Sequence, residues 1–288
     1  MFERITDSLM TNNLLQALNQ TEQGQNQALT QVETGRSVNT PSDNPVAASL
    51  AAVNQSQAAQ VTQFLQNINS VTGALQVGDS ALSSAVNLLN QAVSLGTEGA
   101  NGGLSSSQLA AISQQVGQIQ QQMVDVANTT FNGVSIFAGT AGGPAYTADA
   151  AQSDGVQYQG NSGVNQVQIA PGASVAVNVP GSQIFQNASG SIFQALHDLQ
   201  SSLTAGSSSG VQSALGELNN SVTTLGEQRV FYGATTSRLS STTTFLNNEQ
   251  LDLTQEQNSL VGANLANSIT QLSSAETARQ AILTAGAQ

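Results

Sequence analysis

The chain has 288 residues, of which 39% are apolar, 4% aromatic and 8% charged, a length that corresponds to about two domains with enough apolar residues for a core. Five arginines and no lysine stand against 17 acidic residues, and the formal charge is −12. Proteins bind nucleic acids and anionic membranes through many cationic side chains, so this composition argues against both as partners. Cysteine is absent, which excludes disulfides and thiolate metal sites.

Signals for export or for chemistry are scarce. No basic leader precedes an apolar segment, and no apolar run reaches the ~18 residues of a membrane helix, so we expect neither a cleaved signal peptide nor membrane insertion. The single histidine, His197, has no second histidine to complete a metal site, and no serine stands in a strand-to-helix nucleophile turn. We expect a surface histidine, no catalytic, cofactor-binding or metal-binding residues, and no enzyme activity.

The first predicted element is a long amphipathic helix. Apolar residues recur at helical spacing among amides, which predicts a helix over about residues 4–34. Gly35 follows as the expected C-terminal stop. The apolar positions are Ile5, Leu9, Leu14 and Leu18.

A turn-rich connector follows this helix. Pro41 and Pro45 interrupt helical structure, and Pro45 fits the first position of a following helix. The residues between them, 42–44, are suitable N-caps. From Ala47 the pattern predicts a second helix.

The strongest periodic signal lies in this second helix, expected over about residues 47–96. A heptad stripe of apolar residues runs from Phe64 to Val93, which predicts packing against a partner helix. The glycines from Gly96 to Gly103 are expected to end the helix in a loop. Ser105 and Gln108 then form a capping box for a third helix, which folds back as a hairpin.

A change of period marks the middle of the chain. Asn132-Gly133 has the strongest tight-turn signal, and apolar and polar residues alternate within residues 140–187, which predicts a small antiparallel β domain inserted between helices. Its acids, Asp149 and Asp154, are too far apart for a calcium loop and are expected to be solvated at the surface.

Helical periodicity then returns and continues almost to the last residue. Residues 192–203 and 211–232 predict helices with a linker at 207–210, and a heptad row of leucines follows, which changes register after Leu260. Because polar residues flank this row, we expect it to stay uncovered in the isolated chain and to be buried on assembly. From Leu246 onward, and together with the apolar positions of the first helix, the row forms a predicted assembly seam. The row comprises Leu239, Leu246, Leu253, Leu260, Leu265, Ile269 and Leu272.

Two short motifs give the chain a family resemblance. Their residues are Gly35, Arg36, Pro41, Ser42, Asp43, Pro45, Val46 and Ala47 in the first motif, and Gly233, Ala234, Arg238 and Leu239 in the second. The first motif resembles the signature of flagellar hook-associated proteins of the third type, the junction proteins between hook and filament. The second is similar to an element that these proteins share with flagellins.

The resemblance implies a mainly α fold: an elongated flagellin-like helical bundle or coiled coil with a small inserted antiparallel β domain. The terminal helical assembly domain would comprise residues 1–48 and 236–288, and the helical rod domain residues 49–139 and 188–235. The β domain would comprise residues 140–187.

The function that the resemblance implies is structural. The protein would link the hook, through the first hook-associated protein, to the flagellin filament, in the extracellular flagellum. Its partners would be copies of itself in a ring, the first hook-associated protein, flagellin and an export chaperone. The alternatives are a short flagellin that forms the filament itself, and a secreted adhesin or glycan-binding module that uses the amide-rich surface.

Overall fold

The computed structural model describes residues 2–187 and 190–286, without the side chains of residues 2–8, 10, 187 and 286. It is mainly helical with small antiparallel strand pairs, as predicted. None of the described helices combines the length and the apolarity that a membrane crossing requires. The helices are α1 (Phe2–Thr34), α2 (Pro45–Gly99), α3 (Ser106–Ala127), α4 (Gly181–Ile184), α5 (Ile192–Thr204), α6 (Ser208–Val261) and α7 (Leu265–Gly286).

The strands of the described part form four separate two-stranded antiparallel hairpins. The pairs are β1 (Thr130–Phe131) with β2 (Val134–Ser135), β3 (Tyr146–Ala148) with β4 (Val156–Tyr158), β5 (Gln166–Ala170) with β6 (Ala173–Ala176), and β7 (Gln186–Asn187) with β8 (Gly190–Ser191). The insertion is therefore a set of hairpins rather than one sheet. Asn132 and Gly133 have φ values of 51° and 79°, so the predicted tight turn joins β1 to β2.

The chain divides into two compact units, the terminal unit (residues 1–62 and 247–288) and the central unit (residues 63–246). Helices α1 and α7 belong to the terminal unit, and α3, α4, α5 and the strands belong to the central unit. Helices α2 and α6 contribute residues to both. The three-part division implied by the family resemblance stays a prediction.

The core of the central unit includes the heptad stripe of α2. Leu75, Leu82 and Leu89 of this stripe are fully buried. Gly78 lies in the same stripe, between Leu75 and Leu82. A β-carbon at this position would be 2.5 Å from the ring of Tyr232, so glycine allows that ring to pack against the helix backbone. Complete burial of a leucine contributes about 1.5 to 3 kcal/mol relative to exposure, so the stripe stabilises this unit directly.

Helix α2 ends within the predicted run of glycines, but it passes through Gly96 and ends at Gly99. A β-carbon at Gly96 would meet Leu199 and Leu215, and one at Gly99 would meet Leu203. These glycines therefore allow α5 and α6 to approach α2 closely. Sequence alone favours a helix end here because glycine commonly terminates helices.

Helix α3 begins at the predicted capping box. The Gln108 amide donates to Ser105 Oγ at 3.4 Å, and the Ser105 amide donates to Gln108 Oε1 at 2.8 Å. These bonds satisfy backbone donors that have no partner within the helix.

The C-terminal leucine row lies in two helices rather than one. Helix α6 ends at Val261, and α7 begins at Leu265. Asn264 caps α7, since its Oδ1 accepts a hydrogen bond from the Asn267 amide at 3.2 Å. The break coincides with the change of register in the leucine row. The predicted linker at 207–210 is largely helical, because α6 begins at Ser208.

Most of the leucine row in α6 is buried within the chain, which contradicts the expectation that it stays uncovered until assembly. Leu246 is fully buried and Leu253 is 8% exposed. Leu260 is half-buried. The polar residues between the leucines do not prevent this burial, because Thr242 and Glu249 keep part of their surface in solvent.

An aromatic cluster lies between the hairpins and α5. The Tyr146 ring centroid is 5.0 Å from those of Tyr158 and Phe193, and 5.8 Å from that of Phe185. Burial raises the pKa of Tyr146, and the neighbouring Tyr158 and Asp154 raise it further. The cluster is therefore an apolar core for the inserted region.

Asp154 is buried, so the expectation of a solvated carboxylate is wrong for it. Its Oδ2 accepts from Ser191 Oγ at 3.1 Å and from Gln186 Nε2 at 3.3 Å. Strands β7 and β8 supply these donors from a distant part of the sequence, and hydrogen bonds compensate for burial of the charge. Asp149 is half-buried, and its Oδ1 accepts from the Ala151 amide at 2.9 Å.

Candidate assembly site

The first motif forms the turn between α1 and α2. The Gly35 amide donates to Gln31 O at 3.0 Å, and the φ value of Gly35 is 67°, the left-handed conformation of a helix C-terminal stop. This confirms the predicted helix end. Arg36 follows with an exposed side chain.

Asp43 organises the turn. Its Oδ2 accepts hydrogen bonds from the Asn39 and Thr40 amides, each at 2.8 Å. The bonds from Thr40 and then Asn39 stabilise the charged form and lower the pKa of Asp43. Ser42 Oγ lies 2.8 Å from Thr40 Oγ1. Asp43 thus closes the turn and does not cap α2.

The N-cap of α2 is Asn44, whose Oδ1 accepts from the Ala47 amide at 3.1 Å. Pro45 is the first helical residue, as predicted. Val46 is 70% exposed, and Pro41 is also exposed. This end of the motif therefore presents an apolar surface.

The turn pairs with the break between α6 and α7. Arg36 and Gly262 form an antiparallel bridge. The Ser37 amide donates to Val261 O at 2.7 Å, and the Ala263 amide donates to Gly35 O at 2.9 Å. Sequence reasoning missed this pairing. The register change after Leu260 was a signal that the helix breaks there.

A small apolar cluster supports the pairing. Val38 and Ala47 of the first motif region pack with Ala51 and Val261, and all four are buried. Ala48 and Leu260 pack against them. Leu260 therefore already has partners within its own chain.

Helices α1 and α7 pack against each other in the terminal unit. Buried Ser268 donates through Oγ to Gln31 Oε1 at 3.0 Å, and Ala28 is also buried. Since the end of α1 and the start of α7 both adjoin the bridge, the two helices run antiparallel from it.

This helix pair exposes several predicted seam residues. Leu9, Leu265 and Ile269 are 63%, 47% and 55% exposed. Leu14, Leu18 and Leu272 are half-buried, and the side chain of Ile5 lies outside the described residues. Sequence reasoning did not single out three further exposed residues, which lie at heptad distances within their helices. They are Leu15, Leu29 and Leu283.

The second motif lies in α6 of the central unit. Leu239 is fully buried, whereas Gly233, Ala234 and Arg238 are exposed. The two motifs therefore have different tasks: the first builds a turn, and the second places a buried leucine beside an exposed arginine.

A groove of about 730 Å³ lies beside the second motif, between α2 and α6. Arg229 crosses it, with Nε 2.8 Å from Asp79 Oδ1 and Nη2 3.2 Å from Asp79 Oδ2. Because both side chains remain partly solvated, this pair contributes at most about 1 kcal/mol. The hydrogen bond from Arg229 to Asp79 raises the pKa of Arg229.

His197 is half-buried rather than a surface residue. It lines a groove of about 640 Å³ with glutamines such as Gln114, Gln121 and Gln200. Among the described residues, no three histidine or acidic side chains come together as metal ligands do.

Comparisons with known proteins show which family model and which solved structures this chain resembles. Residues 5–142 match the bacterial flagellin N-terminal helical region. No curated protein matches the sequence. Several solved structures share the fold.

The structure assigned as a flagellar hook-associated protein from Vibrio parahaemolyticus has a TM-score of 0.71 and 17% identity, over 76% of this chain and 100% of that chain. FlgL from Xanthomonas campestris has a TM-score of 0.64 and 18% identity, over 71% and 99%. The flagellar junction protein FlgL from Legionella pneumophila has a TM-score of 0.62 and 15% identity, over 74% and 100%. At these identities the likeness establishes the flagellin-like fold.

Proposed function

We propose that this chain, whose residues 5–142 match the flagellin N-terminal helical region, is a structural subunit of the bacterial flagellum at the junction between hook and filament. The hook-associated and junction proteins that share its fold support this assignment. The role requires contacts with neighbouring subunits and no catalytic group.

The observation that carries the proposal is the exposed apolar surface of the α1 and α7 pair. Leu9 and Ile269 are more than half exposed, at 63% and 55%. Burying a leucine or isoleucine contributes about 1.5 to 3 kcal/mol, so this surface is stabilised when a neighbouring subunit covers it. A polymeric assembly supplies such neighbours to every copy.

The proposed partners follow from the junction position. Copies of the same chain form a ring, the first hook-associated protein lies on the hook side, and flagellin lies on the filament side. Before assembly, an export chaperone covers the exposed apolar residues. The protein is exported to the cell exterior.

Labelling the protein on flagellated cells tests this function. We expect a single band between hook and filament. Label along the whole filament would identify a flagellin, and binding of the free monomer to cells with no label on flagella would identify an adhesin. Either of these results would contradict the junction role.

A further inference from the structure

Helix α6 exposes an unusual row of side chains in the central unit. Phe231, Arg238 and Phe245 lie at successive heptad positions, and all three are exposed, the phenylalanines at 37% and 61%. We call this row the basic stripe. Aromatic residues make up only 4% of the chain, so two exposed phenylalanines on one helix face require an explanation.

Among the side chains that the structure describes, none forms an ion pair with Arg238. The ion pair in the described part joins Arg229 to Asp79, and Arg238 takes no part in it. An arginine between exposed aromatic rings is the composition found at the energetic centres of protein interfaces. A partner for the basic stripe needs a carboxylate between apolar groups at the same spacing.

The terminal unit carries that pattern on both of its terminal helices. Helix α1 exposes Leu15, Glu22 and Leu29, and α7 exposes Ile269, Glu276 and Leu283. In each helix a glutamate stands between two apolar residues at heptad spacing. We call these six residues the acidic face.

The two rows of the acidic face are at matching heights. The hydrogen bond from Ser268 to Gln31 sets the level of α7 against α1. Leu29 is then level with Ile269, and one heptad further along both antiparallel helices Glu22 is level with Glu276. After a second heptad, Leu15 is level with Leu283.

We propose that the basic stripe of one copy docks on the acidic face of a second copy, with Arg238 at the level of Glu22 and Glu276. The charges are opposite, and the apolar residues above and below them have the same spacing. A second copy is the fitting occupant because this chain itself carries the complementary carboxylates, with 17 acidic residues against five arginines. This contact refines the self-assembly in the proposed function and rests on it.

Charge exchange in the full-length chain tests the pairing. A photo-crosslinking amino acid at Ser241, which is exposed between Arg238 and Phe245, reports contact in concentrated purified protein. We expect dimer crosslinks that map to residues 15–29 or 269–283. Arg238→Glu should lower their yield at least about tenfold, equivalent to about 1.4 kcal/mol. Adding Glu22→Arg and Glu276→Arg to that variant should restore the yield.

Ser240→Glu with Thr244→Glu is the matched control, because it changes the net charge equally at two exposed positions of the same helix outside the stripe. It should leave the crosslinks unchanged. Crosslinks within one chain, crosslinks elsewhere on the second copy, their absence, or no rescue by the exchanged charges would each overturn the pairing. Since the assay uses purified protein, it is independent of labelling on flagella, and failure of the pairing is distinguishable from failure of the junction role.

Discussion

The backbone amide of Ser37 donates a hydrogen bond to the carbonyl of Val261 at 2.7 Å, which joins the turn after the first helix to the end of α6. The Ala263 amide returns a bond to Gly35 O at 2.9 Å. Two helices that leave this bridge, α1 and α7, expose the apolar residues proposed for assembly. The bridge therefore determines how the assembly surface is presented.

Ala263→Pro should destabilise the bridge. Proline has no amide proton to donate to Gly35 O, so we expect a loss of about 0.5 to 1.5 kcal/mol from the missing hydrogen bond, with further strain at Gly262. Hydrogen exchange at the Ser37 amide should accelerate. Ala263→Gly keeps the donor and is the control; equal exchange in the two variants would contradict a role for this bond.

Leu253→Ala should destabilise the isolated protein. Leu253 is 8% exposed, and truncation of a buried leucine costs about 2 to 5 kcal/mol. Leu251→Ala is a matched control in the same helix and unit, because Leu251 is 56% exposed and its truncation should change stability by about 0.5 kcal/mol or less. Urea unfolding of the purified monomer measures both. Similar midpoints for the two variants would show that Leu253 lacks intrachain packing.

Leu265→Ser combined with Ile269→Ser should impair assembly and leave the monomer stable. Both side chains are about half exposed, at 47% and 55%, so the folded monomer loses little packing. Labelling at the hook tip should fall sharply, while the unfolding midpoint stays near that of the unmodified chain. Thr270→Ser with Gln271→Ser changes exposed polar residues of the same helix and should assemble normally. Normal assembly of the first variant would show that Leu265 and Ile269 do not lie in the interface.

Asp43→Ala should loosen the turn between α1 and α2. The Asn39 and Thr40 amides lose their acceptor, so their hydrogen exchange should accelerate. Because the pKa of Asp43 is lowered below its ordinary value of 3.8, its contribution is present above that value and is lost as the pH falls through the folded pKa. Ser42→Ala, which removes only the hydroxyl contact with Thr40, should leave both amides protected.

Stability should fall at high pH partly through Tyr232. Burial raises the pKa of Tyr232 from 10.0 to about 12, with a smaller contribution from the charge of Asp79. The folded state therefore holds this proton more tightly than the unfolded chain, and its contribution is complete below pH 10 and is lost as the pH rises toward 12. Tyr232→Phe should reduce the slope of unfolding free energy against pH in that window. An unchanged slope would show that Tyr232 ionises without an effect on folding.

Local patterns in the sequence determined much of the architecture. The end of α1 at Gly35, the capping box at Ser105 and Gln108, and the turn at Asn132-Gly133 depend on residues within a few positions of one another. Such features follow from backbone conformation and short-range hydrogen bonds. The heptad stripe of α2 was also predicted from the sequence, because its apolar residues recur at regular helical spacing.

The tertiary structure decided what these elements contact. The glycine pattern predicted a helix end at Gly96, but leucines from distant parts of the sequence pack against this glycine. Asp154 was expected to be solvated, but it is buried and accepts hydrogen bonds from side chains of β7 and β8. For the leucine row, polar neighbours suggested an unpaired surface, whereas Leu246 and Leu253 are covered by their own chain. Periodicity shows which face of a helix is apolar; whether that face meets its own chain or another subunit depends on contacts between residues far apart in the sequence.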